Sequence, residues 1–212
     1  MQDDHSGVIL TISADLHFVW VGDESKRPDK AIDSWKRHNP SFNVRVWGND
    51  DLKSGWMLSK LMRHYWHREL CGVADCMRWE ILYRYGGIAL DADSEAVSPI
   101  PDWVLEPDIW CCWESEVLRP GLLANGAMGS VPGHPLIGQI IEDLSKSDPG
   151  DLQAWQHTGP VRLTTTWMEH QFRDLTIWPS HLFLPDHFAG LPYRGRGPVI
   201  ATQGWHSTRG KW

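Results

Sequence analysis

The chain has 212 residues, a formal net charge of -7 and fourteen tryptophans. That length fits one domain with a sizeable core, expected over residues 1–212. The acidity argues against a general nucleic-acid binder, which carries a basic footprint, and no apolar run approaches the ~20 residues of a membrane-spanning helix.

In chain order, Met1-Gln2-Asp3-Asp4-His5 is acidic and does not read as a secretory signal. Leu16–Val21 reads as a strand, Asp29–His38 as a helix and Asn43–Trp47 as the partner strand. Trp56–Leu70 reads as one helix carrying Arg63, His64, His67 and Arg68, and a second helix spans Val73–Tyr85. A strand at Ile88–Leu90 and another at Ile109–Trp113 come next. Asn125–Ser130 and Thr158-Gly159-Pro160 read as loops before helices at Pro135–Ser145 and Val161–Phe172. No repeat or long linker divides the chain, and strands alternating with helices predict a layered α/β domain. Cys71, Cys76, Cys111 and Cys112 form neither a zinc pattern nor a disulfide framework. A reduced, cytoplasmic protein without stable membrane insertion is therefore expected.

The most informative stretch runs from Ala74 to Asp93. Met77, Ile81 and Tyr85 recur every four residues and are expected to face a core. Asp75 and Arg78, three apart, share another helix face. Gly86-Gly87 supplies the helix stop, and Ile88-Ala89-Leu90 delivers Asp91 and Asp93 at a strand end. Paired carboxylates there suit a hard divalent cation that completes its shell with phosphate oxygens and water. Spacing alone equally allows an exposed acidic loop, with Asp75 and Arg78 as a surface ion pair. Past Asp186 no acidic residue occurs, while Arg194, Arg196, Arg209 and Lys211 do. Such a tail could meet a diphosphate or be an ordinary solvated terminus. His134 and His157 are candidate ligands or bases, although lone loop histidines are usually neither. Most tryptophans are expected in the core, though indoles also stack on sugars and bases.

The run Asp75-x-x-Arg78-x-x-x-Leu82-x-x-x-Gly86-Gly87-Ile88-x-Leu90-Asp91-x-Asp93 resembles the signature of the DxD-motif sugar-transferase family. That family includes the yeast initiating α-1,6-mannosyltransferase, capsular polysaccharide glycosyltransferases and, distantly, the glucosylating clostridial toxins. Leu16–Gly22 resembles its first strand, and Ser34-Trp35, Asn39-Pro40 and Val46-Trp47 fall in the expected order. The resemblance implies a single compact GT-A-like nucleotide-sugar-binding domain with a central mixed, mostly parallel sheet flanked by helices. It implies metal-dependent transfer of a hexose from a UDP- or GDP-sugar to a hydroxyl acceptor, with retention. Asp93 would ligate Mn²⁺ or Mg²⁺, and Asp91 would help hold it or contact the ribose or a metal-bound water. Asp75 and Arg78 would hold donor-sugar hydroxyls, Trp20 would stack on the base, and Asn125 would line the cleft.

Three departures stand out. Ser13 replaces a proline, Ala89 replaces an aromatic residue, and Gly210-Lys211-Trp212 stands where the family often closes with Ser-Trp. Lys211 and Trp212 are substrate-binding candidates there, with Lys211 meeting the diphosphate directly. The expected acceptor is a saccharide or glycolipid, then a protein side chain or a hydroxymethylated DNA base, so nucleic acid enters only as acceptor. Two other readings are a noncatalytic carbohydrate-binding protein, given the tryptophans, and a metal-dependent phosphohydrolase, which normally needs more ligands than Asp91 and Asp93.

Overall fold

A computed structural model describes residues 11–53 and 55–206. Strand β1 (Asp15–Val19) leads through α1 (Asp29–His38) to β2 (Asn43–Trp47). Helices α2 (Ser59–Trp66) and α3 (Leu70–Tyr85) precede β3 (Gly87–Leu90) and β4 (Ser94–Ala96). The hairpin β5 (Ile109–Ser115) and β6 (Arg119–Ser130) is followed by α4 (Pro135–Lys146), α5 (Ala154–His157) and α6 (Pro160–His170). Short strands β7 (Thr176–Trp178), β8 (Asp186–His187), β9 (Leu191–Pro192) and β10 (Ala201–Gln203) complete the described chain.

The main sheet runs β2-β1-β3-β6-β5-β7. β1 is parallel to β2 and β3, and β7 is parallel to β5; β6 alone runs against both its neighbours, β3 and β5. This is the expected mixed, mostly parallel sheet. Strand alternation divides the core between its two faces. Leu16, Phe18, Ile88, Leu90, Trp110 and Cys112 pack with Ile32 and Trp35 of α1. Val19, Ala89, Ile109 and Cys111 pack with α2, α3 and α4. Trp35, Trp79 and Trp110 are completely buried. Each such ring withdraws ~150–250 Å² from water, on the order of 4–6 kcal/mol at ~25 cal/mol per Å².

Helix α1 carries Asp29 in its first turn and Lys36, Arg37 and His38 in its last, complementing its dipole. It also anchors the segment after β3. The Trp35 indole donates to Ser94 O at 2.8 Å, Ser34 Oγ accepts from Ala96 N at 2.8 Å, and Asn39 Oδ1 accepts from Ile100 N at 2.7 Å.

Helix α3 departs from the amphipathic expectation. Ten of its residues between Gly72 and Leu82 are buried, including the charged Asp75, Arg78 and Glu80, because α2, α4, α5 and the sheet pack around it. Tyr85, expected in the core, is 49% exposed. Glu80 accepts from Met57 N and Leu58 N at 2.9 and 2.8 Å and from Arg84 at 2.6 Å, so its burial is compensated. The helix stops as expected at Gly86 and Gly87, with φ of +66° and +84°. A Cβ at either would stand 2.7 Å from Pro132 Cδ or from Asp15 O respectively.

Two expectations are corrected. Trp56–Leu70 is not one helix: α2 ends at Trp66 and α3 begins at Leu70. The break lets the helices close tightly, since a Cβ on Gly72 would lie 2.5 Å from the Tyr65 ring. Asn125–Ser130 is not a loop but the end of β6: Met128–Ser130 pair with both β3 and β5, while Asn125 and Gly126 fall in a bulge of the strand.

Candidate active site

A cavity of about 830 Å³ is lined by residues from β1, α3, the β3–β4 turn, β6 and the segment after β10. Asp75, Arg78, Asp91, Asp93, Asn125 and Trp20 all line it. Lys211 and Trp212 lie outside the described residues. Arg194 and Arg196, by contrast, are exposed and are not among the lining residues, so that part of the basic stretch does not face the cavity.

Asp91 and Asp93 flank a turn closed by the hydrogen bond from Ser94 N to Asp91 O at 2.9 Å. The Asp91 backbone is pinned to β6, donating to Gly126 O at 2.8 Å. Gly126 also makes room for the carboxylate, since a Cβ there would meet Asp91 Oδ2 at 2.5 Å.

Arg78 lies between two carboxylates. One guanidinium nitrogen donates to Asp75 Oδ1 at 3.2 Å and the other to Asp91 Oδ1. Asp75 additionally accepts from Asn125 Nδ2 at 2.7 Å and Thr158 Oγ1 at 3.0 Å. With Asp75 7% and Arg78 4% exposed, the surface ion-pair reading is excluded. Burial pushes the Asp75 carboxyl up to about 6 despite the neighbouring Arg78.

Gln203 is a site residue that the sequence did not signal. Its amide donates to Asp91 Oδ2 at 3.0 Å and Asp93 Oδ1 at 2.9 Å, while His206 N donates to Asp93 Oδ2 at 2.8 Å. Antiparallel pairing of β10 with β4 sets Gln203 opposite Ser94 and so brings it here. Burial, and then the charge of Asp91, raise the Asp93 carboxyl above its ordinary value.

The residues fit a hard divalent cation. Asp23, Glu69, Asp75, Asp91, Asp93 and Glu114 line the cavity against Lys26, Arg78 and Arg119, leaving an excess of negative charge where a diphosphate would otherwise be repelled. Among the described residues no group of three or more His, Cys, Asp or Glu could form a complete cage. Two carboxylates alone match cations that take remaining ligands from phosphate and water.

Half-buried Trp20 lines the cavity and donates from its indole to Asp23 O at 3.0 Å. Cys71 is exposed where it lines the cavity, and partial burial of its sulfur together with the neighbouring Asp75 and Glu69 raises its thiol pKa, which disfavours the thiolate. His134 instead caps α4, accepting from Leu136 N at 3.2 Å. His157 bonds Tyr65 and Ser147 at 3.1 and 2.7 Å. Neither histidine lines the cavity.

A second group of lining residues was not anticipated. Glu114 and Arg119 come from the β5–β6 hairpin, Trp155 from α5, and Phe188 and Trp205 from the segments after β8 and β10.

Residues 25–110 match the family model described as a glycosyltransferase sugar-binding region containing a DXD motif. Inositol phosphoceramide mannosyltransferase 3 of Schizosaccharomyces pombe is 25% identical over 171 residues, 72% of this chain and 44% of that protein. The chain spans less than half the length of the curated relatives it matches. In fold, the PaToxG glycosyltransferase superposes with a TM-score of 0.60 at 16% identity, covering 76% of this chain and 70% of that one. The UDP-bound glycosyltransferase domain of the YGT toxin gives 0.58 at 8% identity, covering 80% of each. The chain thus has a GT-A fold, and its residues 25–110 are similar to the sugar-binding region of DXD-motif glycosyltransferases.

Proposed function

We propose that this chain, as a single catalytic domain over residues 1–212, transfers a hexose from a UDP- or GDP-sugar to a saccharide or glycolipid hydroxyl. Asp91 and Asp93, braced by Arg78 and Gln203 beside the Trp20 face of one cavity, are the observation that carries this reading.

In this reading Asp93 holds Mn²⁺ or Mg²⁺ directly and Asp91 completes the hold or orients a bound water or the ribose. When bound, the cation neutralises charge developing on the diphosphate leaving group. Trp20 stacks on the base. Asp75 accepts hydrogen bonds from donor-sugar hydroxyls, and Arg78 donates to them while balancing Asp75 and Asp91. Asn125 fixes Asp75 and lines the sugar side. Lys211 and Trp212 serve the diphosphate. No lining residue is an evident nucleophile, which agrees with same-face attack and the retention that the family resemblance implies. The mannosyltransferase relative, whose name specifies inositol phosphoceramide, supports a hexose and a glycolipid acceptor, and the UDP-bound neighbour supports the donor class. Four free cysteines support a reducing, cytoplasmic setting, and no described helix is long and apolar enough to cross a membrane.

Thermal unfolding with UDP, GDP, CMP and dTDP, each with Mn²⁺ and with EDTA, tests this. A ligand at 100 times its Kd stabilises by about 2.7 kcal/mol. One nucleotide should raise the transition only with Mn²⁺, and Asp93→Asn should remove both that shift and turnover. Absence of any nucleotide shift, with metal-independent sugar binding, would replace the transferase reading by a noncatalytic one. Release of inorganic phosphate would indicate a phosphohydrolase.

A further inference from the structure

Glu114 is only 5% exposed, yet it lines the cavity and its Oε1 makes no hydrogen bond. Its nearest donors are Arg119 Nη1 at 3.4 Å and His187 Nε2 at 3.5 Å. His187 Nδ1 accepts from Ala189 N at 3.2 Å, which leaves the proton on Nε2, facing Glu114. Nε2 is itself buried without a hydrogen bond. Both contacts are long, so the Arg119 and His187 ion pairs leave acceptor capacity on the carboxylate unused.

Aromatic rings surround it. The Arg119 guanidinium lies 5.0 Å from the Trp155 ring centre and 5.7 Å from that of Phe188, and Phe188 lies 5.3 Å from Trp205. Trp205 is anchored by its indole to Asp186 O at 2.7 Å and held at φ +54°, a conformation unusual for a bulky side chain and concentrated at functional sites. Its chain neighbour His206 donates to Asp93. The aromatic wall therefore starts beside the paired carboxylates.

We infer that Trp155, Phe188 and Trp205, together with Glu114, form the acceptor subsite, and that it takes an uncharged saccharide ring. The inference rests on the transferase reading of the same cavity. Aromatic faces cover the apolar face of a pyranose, and the cavity-lining Glu114 carboxylate, whose acceptor capacity Arg119 and His187 do not exhaust, accepts from its hydroxyls. Arg119 is engaged by Glu114 and by two rings, which leaves little to attract an anionic acceptor. A lone serine or threonine hydroxyl would need no such platform. Glu114 acts here as a specificity-determining residue for the acceptor.

The test is saturation-transfer NMR on the full chain with Mg²⁺, UDP or GDP, and the methyl glycosides of glucose, galactose, mannose and N-acetylglucosamine. A threonine-containing peptide provides the protein-acceptor arm. At least one glycoside should receive saturation, reduced fivefold or more in Phe188→Ala and in Glu114→Gln. For any glycoside that accepts transfer, its KM should rise tenfold or more while the donor KM changes less than twofold. Phe188 is half-buried at the cavity edge, so its variant keeps the test available if Glu114→Gln fails to fold. Nucleotide signals without any glycoside signal would overturn the acceptor subsite alone. Saturation of the peptide instead, or glycoside signals unchanged in both variants, would overturn it too. Loss of nucleotide signals in the wild type would instead sink the transferase reading.

Discussion

The amide of Gln203 donates to Asp93 Oδ1 at 2.9 Å across 110 residues of chain. The same amide serves Asp91 at 3.0 Å, so one neutral side chain aligns two like charges that would otherwise repel. Residues that orient ligating carboxylates typically matter by 10–100-fold. Gln203→Ala should therefore lower kcat/KM by roughly tenfold or more and shift the Mn²⁺ concentration needed for half-maximal turnover. An unchanged metal titration would mean that the bridge is structural only.

Most of this site was legible because its chemistry is local. Asp75, Arg78, Gly86-Gly87, Asp91 and Asp93 lie on one helix, one turn and one strand, where spacing alone determines neighbourhood. Gln203 was not legible, because nothing in Ala201-Thr202-Gln203 announces which strand it pairs with. Nor was β6: Asn125-Gly126-Ala127-Met128-Gly129-Ser130 has turn-forming composition, and its strand conformation comes from β3 and β5 on either side. Its small residues answer to neighbours instead. A Cβ on Gly129 would collide with the Trp110 indole, as one on Gly126 would with Asp91. Tyr85 was misplaced because the last turn of α3, residues 83–85, emerges beyond the layers that bury Gly72 to Leu82, which a four-residue spacing does not reveal.

Gly126→Ala tests that spatial argument. The added methyl must displace the Asp91 carboxylate, whose Oδ2 lies 2.5 Å from its position. Turnover should fall by about tenfold or more, since small misplacements of catalytic groups are costly, while circular dichroism stays that of the wild type. Full activity would show that Asp91 tolerates a shift and is not held to a demanding geometry.

Arg78→Ala should destabilise the fold as well as impair transfer. Removing the guanidinium leaves two carboxylates facing each other in a largely buried site, a class of change worth roughly 3–5 kcal/mol. Urea unfolding would measure it. The double variant Asp75→Asn with Arg78→Met should recover part of the loss, and failure to do so would show that packing dominates over charge.

Acid should weaken the fold partly through His157. Burial depresses its pKa below the ordinary 6.5, so the unfolded chain binds the proton first as pH falls. Its contribution is complete above about 6.5 and declines below that, down to the folded value. Asp75 opposes this: raised to about 6, it contributes most at low pH and loses that contribution as pH rises from about 4 to 6. Unfolding temperatures between pH 5 and 7.5 should therefore show a shallower fall below pH 6.5 in His157→Gln than in the wild type. Identical profiles would remove His157 from the acid response.

Pairing of β4 with β10 gives the chain a temporal order as well as a shape. During synthesis the Asp91–Asp93 turn emerges about a hundred residues before the strand that aligns it. Long-range contacts of this kind form late, so a nascent chain lacking residues 201–206 presents carboxylates without their shared amide, their backbone donor or the Trp205 ring. Alignment of the two carboxylates then waits on residues 201–206, and a chain cut short upstream of Ala201 would carry the turn without the amide that braces it.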